Sequence, residues 1–252
     1  MNSFTASYKN ELSKLKTRKK YIVFIIIGII ICLIWAFTGR LIANFAQRQA
    51  GMILRITPTP MNTLPFFLSF FIPFLMFMGI TDLFTVETID STMKAMIYRP
   101  VERYKLYAAK ILAVVTYAGL YLSCLFILGI ALSFIFGNPL TGADIFYAFV
   151  SYILTLIPLA ILAAYAALIA ILGRSGTLTM FILLVSYIFL NALPVFFPVT
   201  SEVLFTSYLR WYRLWVGVTP AGSKMIQMLL ILTAYGTAFF TAGSLIFDRK
   251  EY

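Results

Sequence analysis

The chain has 252 residues, of which 62% are hydrophobic and only 12% charged, with a mean hydropathy of +0.94. Soluble domains carry about a quarter of their residues as charged groups, so this composition excludes a soluble globular protein and makes the bilayer the solvent. The net charge of +11 gathers at the edges of apolar runs, where anionic headgroups attract it, and no basic recognition helix or aromatic RNA-binding motif accompanies it, which argues against nucleic acid as a partner.

The first element is an amphipathic helix. Phe4, Tyr8, Leu12 and Leu15 recur at helical spacing while Lys9, Lys14, Lys16 and Arg18 take other faces, the pattern of a helix lying in the headgroup layer beside membrane lipids. Long apolar runs follow. The charge-free gaps hold 19 residues between Lys20 and Arg40, 26 between Arg55 and Asp82, 33 between Lys110 and Asp144, 29 between Asp144 and Arg174, 27 between Arg174 and Glu202, and 23 between Lys224 and Asp248. Each meets the roughly 20 residues that a helix needs to cross the hydrocarbon layer. Six transmembrane helices are predicted at about 20–38, 62–81, 107–136, 146–172, 177–197 and 225–247, with ends set to within about 2–4 residues.

Runs such as IVFIIIGIIICLIW are apolar on every face, which selects a helical bundle over a barrel of alternating strands. The first run is longer than a signal-peptide core and lacks a small-residue cleavage site, so it is expected to persist as a helix. The connections carry signals of their own. Residues 40–62 extend the first span as an arm until Pro58 and Pro60 end it, and Gly173-Arg174-Ser175-Gly176 makes a tight turn between spans four and five. Residues 198–224 contain Tyr208, Trp211, Tyr212 and Trp215, which suit a membrane interface or a gate over an exit.

Orientation follows from the bases. With the N-terminus in the cytoplasm, fourteen of the 20 Lys and Arg residues fall on the inner side and six (Arg40, Arg48, Arg55, Arg210, Arg213, Lys224) on the outer. The positive-inside rule therefore predicts a multi-pass cell-membrane protein with both termini cytoplasmic.

Chemistry inside the spans is sparse. The chain has no histidine, and Cys32 and Cys124 both sit within spans, so neither a metal site nor a disulfide is expected. None of the charge-free gaps supplies the acids or bases that an intramembrane protease requires, and ion-coupled carriers need such groups as well. Energy is expected to enter from outside the membrane, yet no Walker A motif GxxxxGK[ST] occurs in the chain.

Thr81–Lys110 breaks this pattern with four acids and five bases of a chain that has only 9 and 20. Val86, Ile89, Met93, Met96 and Ile97 are spaced by three or four, which predicts a short amphipathic helix over 86–98. Arg99-Pro100 stops it, because proline disfavours a helical residue before it. Such a helix presents both charge signs to a partner, which serves specificity and orientation. A solvated interfacial helix without a partner is the plainer alternative.

The same segment, with Glu87, Thr92, Met93, Lys94, Arg99, Pro100, Val101, Arg103, Leu106 and Lys110 in matching positions, resembles the cytoplasmic coupling loop of ABC-2-type transporter permeases. Ser91 departs from the family, which usually has glycine there. The resemblance implies an all-α membrane fold in one domain over 1–252, with an N-terminal elbow helix at 1–19, a coupling loop at 82–106 and an external segment at 198–224. It implies that Glu87, Asp90, Met93, Lys94, Arg99, Pro100 and Arg103, with Arg174 as a second contact, meet a separate ABC ATPase. ATP and Mg would bind to that subunit, present in two copies, and this chain would carry no cofactor and no catalytic residue. Six spans make half of the usual pore, which implies a second permease, identical or homologous.

In the family the second and fifth spans line the path. Here they offer Phe67, Phe70, Phe71, Phe74, Phe77, Phe181, Tyr187 and Asn191, a wall suited to amphipathic or hydrophobic cargo such as a peptide toxin, an antimicrobial peptide or a drug. Lipid-facing packing uses the same residue types. Sodium, lipid and glycan-lipid cargoes remain alternatives, as does a noncatalytic anchor that recruits a soluble partner through the charged loop.

Overall fold

The computed structural model describes residues 3–50, 59–90, 102–137, 140–214 and 222–250. Helix α1 (Ser3–Thr17) is separated by Arg18 from α2 (Lys19–Ala50). Helix α3 spans Pro60–Ile89, followed by α4 (Arg103–Ile135), α5 (Gly142–Leu172), α6 (Gly176–Phe196) and α7 (Gly222–Arg249), with 3-10 segments at Pro198–Glu202 and Phe205–Leu214 between the last two. Among the described residues there is no strand. Six helices, α2 to α7, are long and apolar enough to cross a membrane, as the charge-free gaps predicted.

Local chemistry sets several of the ends. Thr59 is extended (φ −71°, ψ 154°) and Pro60 opens α3, a first-turn position where its missing N–H costs nothing. Thr141 and Asp144 form a reciprocal capping box at the start of α5: Asp144 N–H donates to Thr141 Oγ1 (3.2 Å) and Thr141 N–H to Asp144 Oδ2 (3.0 Å).

Helix α3 departs from a regular α-helix in two places. Phe67–Phe71 and Asp82–Val86 are π turns, in which the backbone bonds i to i+5 and the face presented by every later residue shifts. The helix also continues past the predicted end at 81 to Ile89. The first residues of the predicted 86–98 surface helix are therefore the last turn of a span, and Ser91–Pro100 lies outside the described residues.

The core lies around α5, which packs against α3, α4, α6, α7 and the second 3-10 segment. Ala163, Ala164, Ala166, Ala167 and Ala170 on α5 are buried, and small side chains let neighbouring helices approach closely in a bilayer. Helices α2 and α6 leave broad apolar faces open, among them Ile26 and Ile30 on α2 and Phe181 and Val185 on α6. The start of α2, the end of α3, the start of α4, the end of α5 and the end of α7 meet at one end of the bundle, here the basal end. The start of α3, the first turns of α5 and the second 3-10 segment lie toward the other, the apical end.

The apical segment differs from a membrane-interface anchor. Phe205, Tyr208, Leu209, Trp211 and Tyr212 are buried, and Trp211 Nε1 donates to the Leu154 carbonyl of α5 at 2.7 Å. Their aromatic stripe turns into the bundle because α5 offers an apolar wall and, where Pro158 interrupts the helical ladder, an unpaired carbonyl. Trp215 lies outside the described residues.

Candidate functional site: a basal ion ring and the seam between α3 and α6

At the basal end two acids and two bases close a ring. Glu11 Oε1 meets Lys14 Nζ at 2.9 Å, and Lys14 Nζ meets Glu87 Oε1 at 2.8 Å. Glu87 Oε2 meets Lys110 Nζ at 2.6 Å, and Lys110 returns to Glu11 Oε2 at 3.1 Å. The side chains of Lys110, Glu11 and Glu87 keep only 0%, 1% and 4% of their surface in contact with solvent. The ring is neutral as a whole and joins α1, α3 and α4. Taking ions out of water is costly, and close alternating geometry with every oxygen engaged is what offsets that cost.

A second cluster sits one turn away on α3. Asp82 accepts from Lys20 Nζ (Oδ1, 2.6 Å) and Tyr21 Oη (Oδ2, 2.6 Å), and Arg18 Nη1 lies 2.9 Å from Oδ2. The junction between α1 and α2 is thereby held to α3. On a regular α-helix residues five apart diverge, but the i to i+5 pattern of the Asp82–Val86 turn brings Asp82 and Glu87 onto nearly one face. Two acids on one face then meet the basic N-terminal segment. Farther up, Tyr8 donates to Thr116 Oγ1 (2.9 Å) and Tyr117 to the Tyr21 carbonyl (3.1 Å), so α1 and the start of α2 are bonded along α4 as well.

The residues expected to meet an ATPase therefore divide. Glu87 is inside the ring. Asp90 is exposed at the end of α3 and Arg174 is exposed in the turn between α5 and α6. Arg103 Nη1 donates to the carbonyls of Asp248 (2.5 Å) and Lys250 (3.4 Å), satisfying carbonyls that the end of α7 leaves without helical partners. Beside it Glu102 pairs with Lys105 at 3.0 Å, and that hydrogen bond holds the Glu102 carboxyl below its usual range. Met93, Lys94, Arg99 and Pro100 lie outside the described residues. Sequence reasoning left out Glu11 and read Asp82 and Lys110 only as parts of a charged loop. The separation of Glu11 from Lys110 by 99 positions leaves no local signal for the pairing.

The path candidates divide too. The seam between α3 and α6 holds a hollow at each end. The basal one, about 510 Å³, is lined by Met78, Thr81, Asp82, Thr177, Met180 and Phe181 among others. The apical one, about 560 Å³, includes Ser69, Phe70, Tyr187, Asn191, Thr206 and Arg210. Between them the buried rings of Phe77 and Tyr187 meet edge to face at 5.6 Å. Phe67 and Phe71 turn the other way, toward Tyr121 of α4, and Phe71 also meets Phe24 of α2. Phe74 stacks on Phe24 at 5.3 Å. These three line neither hollow. The π turn at Phe67–Phe71 shifts the helix face, so that Phe70 reaches the seam while its neighbours pack inward.

The sequence model describing ABC-2 family transporter proteins matches residues 8–191, a stretch that holds the ring, the Asp82 cluster and the whole α3–α6 seam as far as Asn191. No curated relative matches the chain.

Proposed function

Because the chain belongs to the ABC-2 family of transporter proteins, a family of membrane translocation components that associate with ABC ATPases, we propose that it is the permease subunit of an ATP-driven exporter of amphipathic or hydrophobic cargo. The observation that carries this reading is the seam: one hollow opens at each end of the α3–α6 contact, and the Phe77–Tyr187 pair closes the space between them. Movement of α6 against α3 would part that pair and pass cargo from one hollow to the other, and apolar walls with a few polar groups suit an amphiphile.

Nucleotide chemistry belongs to a separate ATPase, two copies of which hold ATP and Mg. A second permease copy, or a homologue, covers the open face of α6. The contacts for the ATPase are the exposed Asp90 and Arg174, together with Met93, Lys94, Arg99, Pro100 and Arg103 of the coupling loop. The ring of Glu11, Lys14, Glu87 and Lys110 acts behind them, making α1, α3 and α4 move as one body when the ATPase closes.

Co-expression with an ABC ATPase tests this. The expected result is a stable complex whose ATP hydrolysis responds to the permease and which moves a fluorescent amphipathic peptide into inside-out vesicles only with ATP. Asp90→Lys combined with Arg174→Glu should weaken the complex without altering the melting temperature of the isolated permease. Failure of any ABC ATPase to bind the chain, or transport without ATP, overturns the reading.

A further inference from the structure

Arg210 is an exposed cation lining the apical hollow, and among the described residues no carboxylate pairs with it. Its backbone (φ −102°, ψ 21°) breaks the 3-10 segment Phe205–Leu214, and its side chain reaches the α3–α6 hollow. One arm of the guanidinium donates to Ser69 Oγ at 2.5 Å. Ser69 is then committed, since its own hydroxyl donates to the Pro65 carbonyl at 2.7 Å. The Asn191 amide is likewise turned back to the Tyr187 carbonyl at 2.8 Å. Among the described residues every ion pair lies elsewhere.

A guanidinium presents a planar fork that matches an oxyanion. The remainder of the wall is apolar, with Leu68, Phe70, Ile188 and Leu209. We propose that the apical hollow binds an anionic amphiphile, with its carboxylate or phosphate on Arg210 and its apolar body along Phe70 and Ile188. A single cation fits a monoanionic head. This rests on the seam being the cargo path and names the chemistry of what its apical end receives.

The test uses the intact chain in phosphatidylcholine nanodiscs, with neither ATPase nor ATP, so that it is independent of transport. Binding of radiolabelled dodecanoate and dodecanol is measured against empty nanodiscs. Dodecanoate should bind about tenfold more tightly, the ratio that one charge-assisted hydrogen bond supplies. Arg210→Gln should abolish the preference, and Arg210→Lys should retain part of it. Should Arg210→Gln fail to fold, Ser207→Glu places a carboxylate on the same wall and must also abolish the preference. Phosphatidylglycerol that displaces dodecanoate identifies a lipid headgroup as the source of the anion, and failure to displace it identifies a free amphiphile. Equal binding of dodecanoate and dodecanol, or a preference that survives Arg210→Gln, overturns the proposal. If cargo still moves with ATP in that case, the permease reading stands without it.

Discussion

Glu87 and Lys110 meet at 2.6 Å with both side chains withdrawn from solvent. That contact turns an acid that matched the coupling-loop pattern into an internal strut between α3 and α4. A surface acid would confer specificity on a partner. A buried one instead sets how rigidly the helices behind the partner respond.

Removing one member of the ring leaves an uncompensated buried charge. Lys110→Met should therefore destabilise the protein by about 3–5 kcal/mol, because two carboxylates then share the single ammonium of Lys14. The double variant Glu87→Gln/Lys110→Met leaves the neutral pair Glu11–Lys14 and should recover much of the loss. Thermal unfolding in nanodiscs reads both. A double variant that is as unstable as the sum of its singles would show that the ring is not one coupled unit.

Among the described residues, Asp82 is the only acid that Arg18, Lys20 and Tyr21 share. The two bases keep 35% and 44% of their side-chain surface in solvent, so their loss of a partner is screened and Asp82→Asn should change stability little. What should change is the hold on the α1–α2 junction. Limited trypsin digestion is expected to cut after Arg18 to Lys20 markedly faster in Asp82→Asn than in the parent, with Tyr21→Phe in between. Equal cutting rates would remove Asp82 as the tether.

The six spans were legible because a charge inside hydrocarbon is expensive, and the gaps between charges therefore trace the bilayer. The site was legible in part. Glu87, Asp90 and Arg103 all stand in the charged island, but one is in the ring, one faces outward and one is bonded to the end of α7. What sequence periodicity could not supply was the phase of α3. Two π turns shift its faces, so a 3.6-residue count assigns Phe67, Phe70, Phe71 and Phe74 to a single wall, whereas the helix sends Phe70 to the seam and Phe67 and Phe71 to α4. Nor does a basic N-terminal helix announce that its one acid, Glu11, will meet a lysine on another span.

Tyr107 and Tyr121 are buried aromatic residues of α4 whose hydroxyls have no hydrogen-bond partner among the described residues. Each hydroxyl instead abuts a glycine: a Cβ added at Gly243 would stand 2.1 Å from Tyr107 Oη, and one at Gly28 would stand 1.9 Å from Tyr121 Oη. Tyr107→Phe and Tyr121→Phe should therefore be neutral or stabilising by up to about 1 kcal/mol, since they remove a stranded polar group and keep the ring. Gly28→Ala and Gly243→Ala should lower the melting temperature, because the phenol they strike is packed in the core. A loss of stability in both phenylalanine variants would show that the hydroxyls have partners after all.

The positive-inside assignment puts the basal end, with Asp90 and Arg174, in the cytoplasm, where an ATPase can reach it. Cysteine labelling decides the matter with few changes, because Cys32 and Cys124 are the only native thiols and both can be replaced by alanine. In that background, Arg174→Cys reports the basal turn and Ser207→Cys the apical segment, both at exposed positions. An impermeant maleimide applied to intact cells should modify Ser207→Cys and spare Arg174→Cys, and inverted vesicles should reverse the pattern. The opposite result would place the ring and both exposed contacts outside the cell, beyond the reach of cytoplasmic ATP, and the ATP-driven reading would fall with it.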